Sequence, residues 1–282
     1  MAEGRLPTFI IIGAMKAGTT SLYRYLEVHP QITMSRRKEI NFFVAEKSWN
    51  KGARWYKRQF TGPGPCFGEA SPNYTKYPAF KGVPSRMHEV VPQVRLIYVV
   101  RDPLQRIVSH YKHNVDAGRE LRPLVDAIRG GRENHYIQTG LYYTQVRQFL
   151  ERFDEEQLLI VSLESLRRRP REVLARVVEH VGANPVFRFP LSTFRSYGTS
   201  REKVRPNPLG RLVIRFSRGL YRGILRLTPQ VVGTPLQGFS HLGFPVEVRE
   251  RLEELFSPEI EALKELAGES LEGWLSKEHP KS

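Results

Sequence analysis

The sequence predicts an α/β fold, with a central parallel sheet flanked by helices in a single domain. Strand and helix signals alternate along the chain, which is typical of parallel sheets with helical crossovers. Three apolar runs indicate buried strands, and a segment with helical features follows each of them. These strands are expected at 9–12, 94–100 and 158–163.

Helices are expected between and after these strands. The helix that starts near residue 170 has a proline in its first turn and Gly182 at its end, the usual order of these residues. The interval 33–92 has clustered Gly and Pro, so we expect an irregular and functional loop there. The expected helices are 21–28, 104–114, 136–153, 170–181 and 246–266.

Length and charge limit the classes of function. The 282 residues can bury a sizeable core, and we treat 1–282 as one domain with its core at 7–182 and a basic region at 196–282. The net charge of +15 favours an anionic partner. The single cysteine, Cys66, excludes an intrachain disulfide and is expected where a loop enters a strand. No long apolar run precedes the first strand, so we expect a cytoplasmic protein.

A glycine-rich turn between the first strand and the first helix indicates a phosphate site. The turn reads GAMKAGTT, and backbone N–H groups at such a helix start favour anions. In the usual nucleotide-binding loop a lysine follows the second glycine. Here Lys16 lies inside the loop, and Thr19 and Thr20 follow Gly18. The fold is therefore expected to be P-loop-like, and a kinase-like NTPase remains an alternative.

These loop residues resemble the phosphosulfate loop of sulfotransferases that use 3′-phosphoadenosine 5′-phosphosulfate (PAPS). That loop reads K-x-G-T-[ST], which matches the stretch Lys16, Ala17, Gly18, Thr19 and Thr20. The resemblance implies that loop amides and threonine hydroxyls bind the 5′-phosphate. It also implies that Lys16 stabilises charge on the leaving phosphate without a catalytic metal. The nucleotide product would be 3′-phosphoadenosine 5′-phosphate (PAP).

A second motif follows the strand at 94–100. It reads LIYVVRDPLQRIVSHY, and Arg101 stands just past the carboxyl end of the strand, where ligands of parallel sheets bind. The planar guanidinium matches a phosphate, and Ser109 on the next helix can face the same group. The order Arg101-Asp102-Pro103 followed by Ser109 resembles the 3′-phosphate site of the same family. Arg101 and Ser109 are therefore expected to bind the nucleotide.

The general base is expected to be a carboxylate. The stretch RRKEINFF resembles the K-E-x-x-F-F element of the heparan sulfate N- and 3-O-sulfotransferases, which implies Glu39 as the base and Lys38 as a substrate contact. Glu69, in GEASPNY, is the second carboxylate considered, although Ala70 replaces a lysine of that branch. The histidines between the two nucleotide motifs are expected to be structural; they are His29 and His88.

The basic C-terminal region gives two further expectations. The segment 197–206 falls where the family closes a loop over the nucleotide, so Thr199, Ser200 and Arg201 are expected to contact it. Apolar residues at helical spacing with arginines on another face predict a basic amphipathic helix over 209–227. This helix could dock on the protein body, lie on an anionic membrane or carry an anionic substrate.

The function predicted from these motifs is transfer of a sulfuryl group from PAPS to a hydroxyl or amine. The resemblance implies a carbohydrate acceptor and no metal. A kinase-like NTPase is the first alternative. A nucleic-acid-binding protein is the second and rests on charge alone, since no recognition-helix or zinc-finger motif is present. The motifs leave the oligomeric state open.

Overall fold

The structure is a computed structural model. It describes residues 4–194, 204–217, 219–221, 224, 231, 233–235, 243–267, 271 and 274–275. The predicted nucleotide contacts Thr199, Ser200 and Arg201 lie outside these residues.

A parallel sheet forms the centre of the fold, as the sequence predicts, and it has five strands, two more than the apolar runs indicate. Its strand order is β2-β3-β1-β4-β5, so β1 lies in the middle with β3 and β4 on its two sides. The first strand is fully buried because its residues are apolar on both faces, as expected when helices cover both sides of a sheet. The strands are β1 Phe9–Gly13, β2 Ile32–Met34, β3 Cys66–Ala70, β4 Arg95–Val100 and β5 Leu158–Ser162.

The expectation that 33–92 is an irregular loop is wrong, because this interval contributes to two strands of the sheet. The β2 strand has only three residues, too few to show a periodic pattern. The β3 strand contains Gly68 and a charged residue, which obscure its signal. Gly68 is required there, since a Cβ at this position would come within 2.1 Å of the Phe9 ring.

Helices flank the sheet, and those expected at 21–28, 104–114, 170–181 and 246–266 are each present within a few residues of the predicted bounds. They are α1 Thr19–Leu26, α2 Gly52–Lys57, α3 Val83–Val90, α4 Pro103–Asp116, α5 Leu124–Ala127, α6 His135–Gln138, α7 Tyr142–Leu150, α8 Leu163–Arg168, α9 Pro170–His180, α10 Pro208–Phe216 and α11 Val246–Ala267.

The single long helix expected over 136–153 is wrong. The chain forms α6 and α7 instead, with a break around Gly140. A Cβ on Gly140 would lie 3.2 Å from the Phe256 ring and 3.3 Å from Arg106 Nε, so the chain passes very close to both side chains. This close approach to α4 and α11 replaces the helical continuation that the apolar pattern favours.

The continuous helix expected over 209–227 is also wrong, because α10 ends at Phe216. Ser217 adopts an extended conformation, with φ −157° and ψ 114°, and its Oγ accepts a hydrogen bond from Leu220 N–H at 3.2 Å. Ile214 and Tyr221 are buried. Part of this segment therefore docks on the body. Next to it, a two-stranded antiparallel sheet pairs β6 Val204–Pro206 with β7 Gly233–Pro235.

The side chains expected to be structural are packed as such. Cys66 is buried at the start of β3, and its Sγ lies 3.4 Å from the Val181 carbonyl oxygen. His29 is buried and its Nε2 lies 3.0 Å from Asn184 O, while His88 packs edge-on against Phe153. No helix within the described ranges combines the length and the apolar content needed to cross a membrane.

Candidate active site

The glycine-rich turn joins the carboxyl end of β1 to the first turn of α1. The Ala14 N–H donates to Val99 O at 2.6 Å, which ties the turn to the end of β4. Gly18 has φ 99° and precedes α1. A Cβ there would lie 2.6 Å from Leu163 Cδ1, so both the backbone angle and the space require glycine. Lys16 also has a positive φ, 71°, inside the turn.

The second predicted motif forms the corner between β4 and α4. Asp102 caps α4, since its Oδ1 accepts from Gln105 N–H at 2.9 Å. Its Oδ2 accepts from Leu275 N–H at 3.0 Å. The Tyr142 hydroxyl donates to the Arg101 carbonyl at 2.7 Å. The backbone on which Arg101 stands is thus held from both sides.

The two corners open onto one cleft of about 410 Å³ at the carboxyl end of the sheet. The strand order reverses beside β1, and in parallel α/β sheets ligands bind at the carboxyl ends of the strands at such a reversal. Eight of the predicted residues line the cleft: Lys16, Gly18, Thr19, Thr20, Lys38, Glu39, Arg101 and Ser109.

The cleft has the character of an anion site. Arg101 Nε is buried and has no hydrogen-bond partner among the described residues. Burial lowers the pKa of Arg101, and the nearby charge of Arg167 lowers it further. Arg101 as a whole is half-buried and its Nη2 donates to Gln105 Oε1 at 3.1 Å, and a guanidinium with a further donor of this kind is suited to a phosphate oxygen. The residues that line the cleft therefore fit a phosphorylated nucleotide.

Glu39 also lines the cleft. Its side chain is 52% exposed, and Oε1 lies 3.0 Å from Lys38 Nζ. Its N–H donates to the carbonyl of Ala70, the last residue of β3, at 2.9 Å. The backbone φ of Glu39 is 60°, a left-handed value that is uncommon for a residue with a side chain. The carboxylate is accessible to a ligand.

Glu69 is near Glu39 in space, but it does not line the cleft. Its side chain is fully buried in β3. Oε1 accepts hydrogen bonds from the Tyr56 and Tyr74 hydroxyls at 2.6 and 2.8 Å, and Oε2 accepts one from Ser71 Oγ at 2.6 Å. Burial raises the pKa of Glu69, and these hydroxyl donors act in the opposite direction.

A second cavity of about 200 Å³ adjoins the cleft, and Glu39 lines both of them. Its lining is basic and polar, with Lys51 Nζ held 4.3 Å from the centre of the Trp55 ring. All of its lining residues come from the segment between β2 and β3: Arg37, Glu39, Ile40, Asn41, Lys47, Ser48, Lys51, Trp55 and Gln59. We call this space the side cavity.

The structure adds lining residues that the motifs do not identify. His113 lies one helical turn after Ser109 on α4, and that spacing is a signal that sequence reasoning could have used. Arg167, on the helix after β5, and Asn73, after β3, reach the cleft only through the fold. Ala17, also a predicted nucleotide contact, is buried beside the cleft-lining residues Lys16 and Gly18, and its N–H donates to Ala14 O at 3.2 Å.

Lys76 is another charged group near Glu39. Burial lowers the pKa of Lys76 to about 8. The negative charge of Glu39 opposes this change, and the positive charges of Arg106, Lys47 and Arg119 add to it.

Within the described ranges, no group of three or more His, Cys, Asp or Glu side chains could hold a metal ion.

Comparisons with known proteins agree with this geometry. A family profile described as a sulfotransferase domain matches residues 6–188. Heparan sulfate glucosamine 3-O-sulfotransferase 3B1 of Homo sapiens is 30% identical over 187 residues, which cover 63% of this chain and 46% of that protein. Bifunctional heparan sulfate N-deacetylase/N-sulfotransferase 4 of Mus musculus is 28% identical over 205 residues, which cover 65% of this chain and 23% of that protein.

A solved sulfotransferase structure from Alicyclobacillus acidocaldarius superimposes with a TM-score of 0.69 and 24% identity, and it covers 96% of this chain and 100% of its own. That likeness shows a shared fold. The chain spans less than half the length of the two curated relatives. The family match, however, covers well over half of its 282 residues. The predicted resemblance is thus confirmed, and the chain belongs to the sulfotransferase family.

Proposed function

We propose that this protein transfers a sulfuryl group from PAPS to a hydroxyl or amine of a carbohydrate acceptor. The observation that carries the proposal is the single cleft lined by both nucleotide motifs. Lys16, Thr19 and Thr20 come from the turn after β1, and Arg101 and Ser109 come from the corner after β4. Bound PAPS would supply the sulfuryl group and a phosphate leaving group.

On the donor side, the start of α1 and the threonine hydroxyls bind the 5′-phosphate, since helix N-termini favour anions. Arg101 and Ser109 bind the 3′-phosphate, the feature that distinguishes this donor from ATP. The buried Nε of Arg101 has no partner within the described part of the chain, which supports this assignment because such a donor is costly unless a ligand satisfies it.

On the acceptor side, Glu39 accepts the proton of the attacking hydroxyl or amine. The acceptor oxygen or nitrogen forms a bond to sulfur while the bond between sulfur and the 5′-phosphate oxygen breaks. Lys16 stabilises the charge that develops on that oxygen. The exposed carboxylate of Glu39 and its place at the junction of the cleft and the side cavity support this role.

The side cavity is our proposed acceptor site. Its cationic, amide and hydroxyl side chains match an acceptor rich in hydroxyl or acidic groups, as a glycan is. The names of the curated relatives include heparan sulfate, a carbohydrate, which supports the same class of acceptor.

We further propose that α10 contacts an anionic membrane surface. Leu209 and Leu212 are each 49% exposed and Phe216 is 83% exposed, so a row of large apolar side chains faces outward. Arg211 and Arg215 are exposed on the same helix and complement anionic headgroups.

Thermal unfolding with added nucleotides tests the donor assignment. PAP at about a hundredfold excess over its dissociation constant should stabilise the fold by roughly 2.7 kcal/mol, and AMP should stabilise it less. Arg101→Ala should weaken this effect. Arg168→Ala, which removes an exposed charge of the helix after β5, is the matched control. Stabilisation by ATP with magnesium and none by PAP would contradict the proposal in favour of an NTPase.

Transfer of labelled sulfate from PAPS to fractionated glycan pools tests the acceptor class, with mass analysis of the product. Glu39→Gln should lower the rate roughly 10²- to 10⁴-fold and leave PAP stabilisation intact. Labelling of small non-carbohydrate alcohols but of no glycan pool would refute the acceptor class while keeping the donor assignment.

A further inference from the structure

We propose that buried Glu69 is a positioning residue, which orients Glu39 through Ser71 and Asn41. The inference rests on the proposed role of Glu39 as the base. Glu69 does not line the cleft, but a continuous series of hydrogen bonds runs from Glu69 in β3 to Glu39 in the cleft wall.

The series begins with the cost of burying Glu69. Its carboxylate is fully buried, and the groups that bind it are hydroxyls: Tyr56 and Tyr74 at Oε1 and Ser71 at Oε2. Removal of a carboxylate from water is unfavourable, and hydrogen bonds from hydroxyl donors offset that loss of hydration only in part. An apolar residue would fit the interior of β3 at a lower cost, so the carboxylate indicates a requirement beyond stability.

Ser71 connects Glu69 to Asn41. A serine hydroxyl has one hydrogen, and Ser71 donates it to Glu69 Oε2 at 2.6 Å. Ser71 Oγ can therefore act only as an acceptor towards its other neighbour, and it accepts from the Asn41 N–H at 3.0 Å. Because the backbone N–H of Asn41 can only donate, Ser71 Oγ links the two groups by donating to the Glu69 carboxylate and accepting from Asn41.

Asn41 completes the connection to Glu39. Its Nδ2 donates to the Glu39 carbonyl at 2.7 Å, and its Oδ1 accepts from Asn73 Nδ2 at 2.9 Å. The φ of Asn41 is 53° and that of Glu39 is 60°. Left-handed backbone is uncommon for residues with a side chain, so external hydrogen bonds are needed to hold two such residues within this short segment.

The two carboxylates therefore have different roles. Glu39 is exposed to the ligand and supported at its N–H by Ala70 O and at its carbonyl by Asn41. Glu69 never meets the ligand, but it fixes the segment from which the Glu39 side chain projects. Loss of the series should displace the base and leave the nucleotide residues of α1 and α4 in place.

The test is a comparison of Ser71→Ala with Tyr56→Phe. Ser71→Ala breaks the series, and a misplaced base should lower kcat about ten- to a hundredfold while PAP stabilisation stays at the wild-type value. Tyr56→Phe removes a hydrogen bond from the other oxygen of Glu69, away from the series. It should lower the free energy of unfolding and keep kcat close to that of the wild type.

The same substitution in a Glu39→Gln background separates positioning from a general structural effect. If Ser71 acts through Glu39, Ser71→Ala should cost almost nothing further once the base is gone. An equal loss of kcat in both backgrounds, or no loss in either, overturns the inference. If Ser71→Ala does not fold, Asn41→Asp replaces the donor to the Glu39 carbonyl and is judged by the same criteria.

These outcomes also distinguish the inference from the function on which it rests. Full activity of Glu39→Gln would reject Glu39 as the base, and the positioning role would fall with it. An inactive Glu39→Gln variant with a fully active Ser71→Ala variant would reject only the positioning role.

Discussion

Substitution of Gly18 tests how the phosphate-binding turn is built. Gly18 has φ 99° and ψ 10°, and Gly130, far from the cleft in sequence, has φ 104° and ψ 3°. The two backbones are nearly identical, but their surroundings differ. A Cβ on Gly18 would meet Leu163 Cδ1 at 2.6 Å, and one on Gly130 would meet only Asn134 Cβ at 4.0 Å.

The pair therefore separates two costs. Gly130→Ala carries the left-handed backbone term, about 1–2 kcal/mol. Gly18→Ala carries the same term and an overpacking term against buried Leu163, about 1–3 kcal/mol, for a total of about 2–5 kcal/mol. Urea unfolding followed by tryptophan fluorescence gives both free energies of unfolding.

Leu163→Ala supplies the check on the contact. It removes the atom that the new methyl group meets, so the double variant Gly18→Ala, Leu163→Ala should be more stable than the sum of the single losses predicts. Equal losses for Gly18→Ala and Gly130→Ala, or strict additivity with Leu163→Ala, would refute the reasoning.

Three other outcomes are expected. Lys16→Ala should lower kcat more than it weakens donor binding, since the charge on the leaving phosphate grows in the transition state; weak binding with normal kcat contradicts this. Burial lowers the pKa of Lys76 from 10.5 to about 8, so between pH 8 and 10.5 the unfolded chain binds more protons than the folded one. The free energy of unfolding should therefore rise with pH across this range, by roughly 3 kcal/mol at most. In unfolding titrations, the Lys76→Met variant should not show this increase in the free energy of unfolding with pH. An unchanged increase would reject the assignment to Lys76. Phe216→Ser should reduce cosedimentation with anionic vesicles, and unchanged binding rejects the membrane surface.

The sequence was sufficient for the parts of the fold that have strong local signals. The strand at β1, the turn at Gly18 and the strand–helix corner at Arg101 each carry a local pattern tied to backbone geometry. The bounds of α9 followed from its proline and from Gly182, which has φ 81°. These features depend on neighbours in sequence, so a single chain is enough to predict them.

The features that the sequence did not predict depend on contacts between residues that are distant in the chain. A carboxylate within a short apolar run argues against a buried strand, and only the hydroxyls of Tyr56, Ser71 and Tyr74 make Glu69 compatible with β3. The break at Gly140 depends on the close approach of Phe256, which no local pattern reports. Arg167 reaches the cleft because β5 pairs with β4, a relation set by the sheet.

The placement of the side cavity has a consequence for how such enzymes can be altered. Every residue that lines it comes from one continuous stretch between β2 and β3, and both strands are fixed in parallel register within the sheet. Most of the donor residues belong to other parts of the chain, in the turn after β1 and the corner after β4. If Glu39 and its support Asn41 are kept, grafting other side chains at the remaining cavity positions of residues 36–59 should change acceptor choice independently of nucleotide recognition.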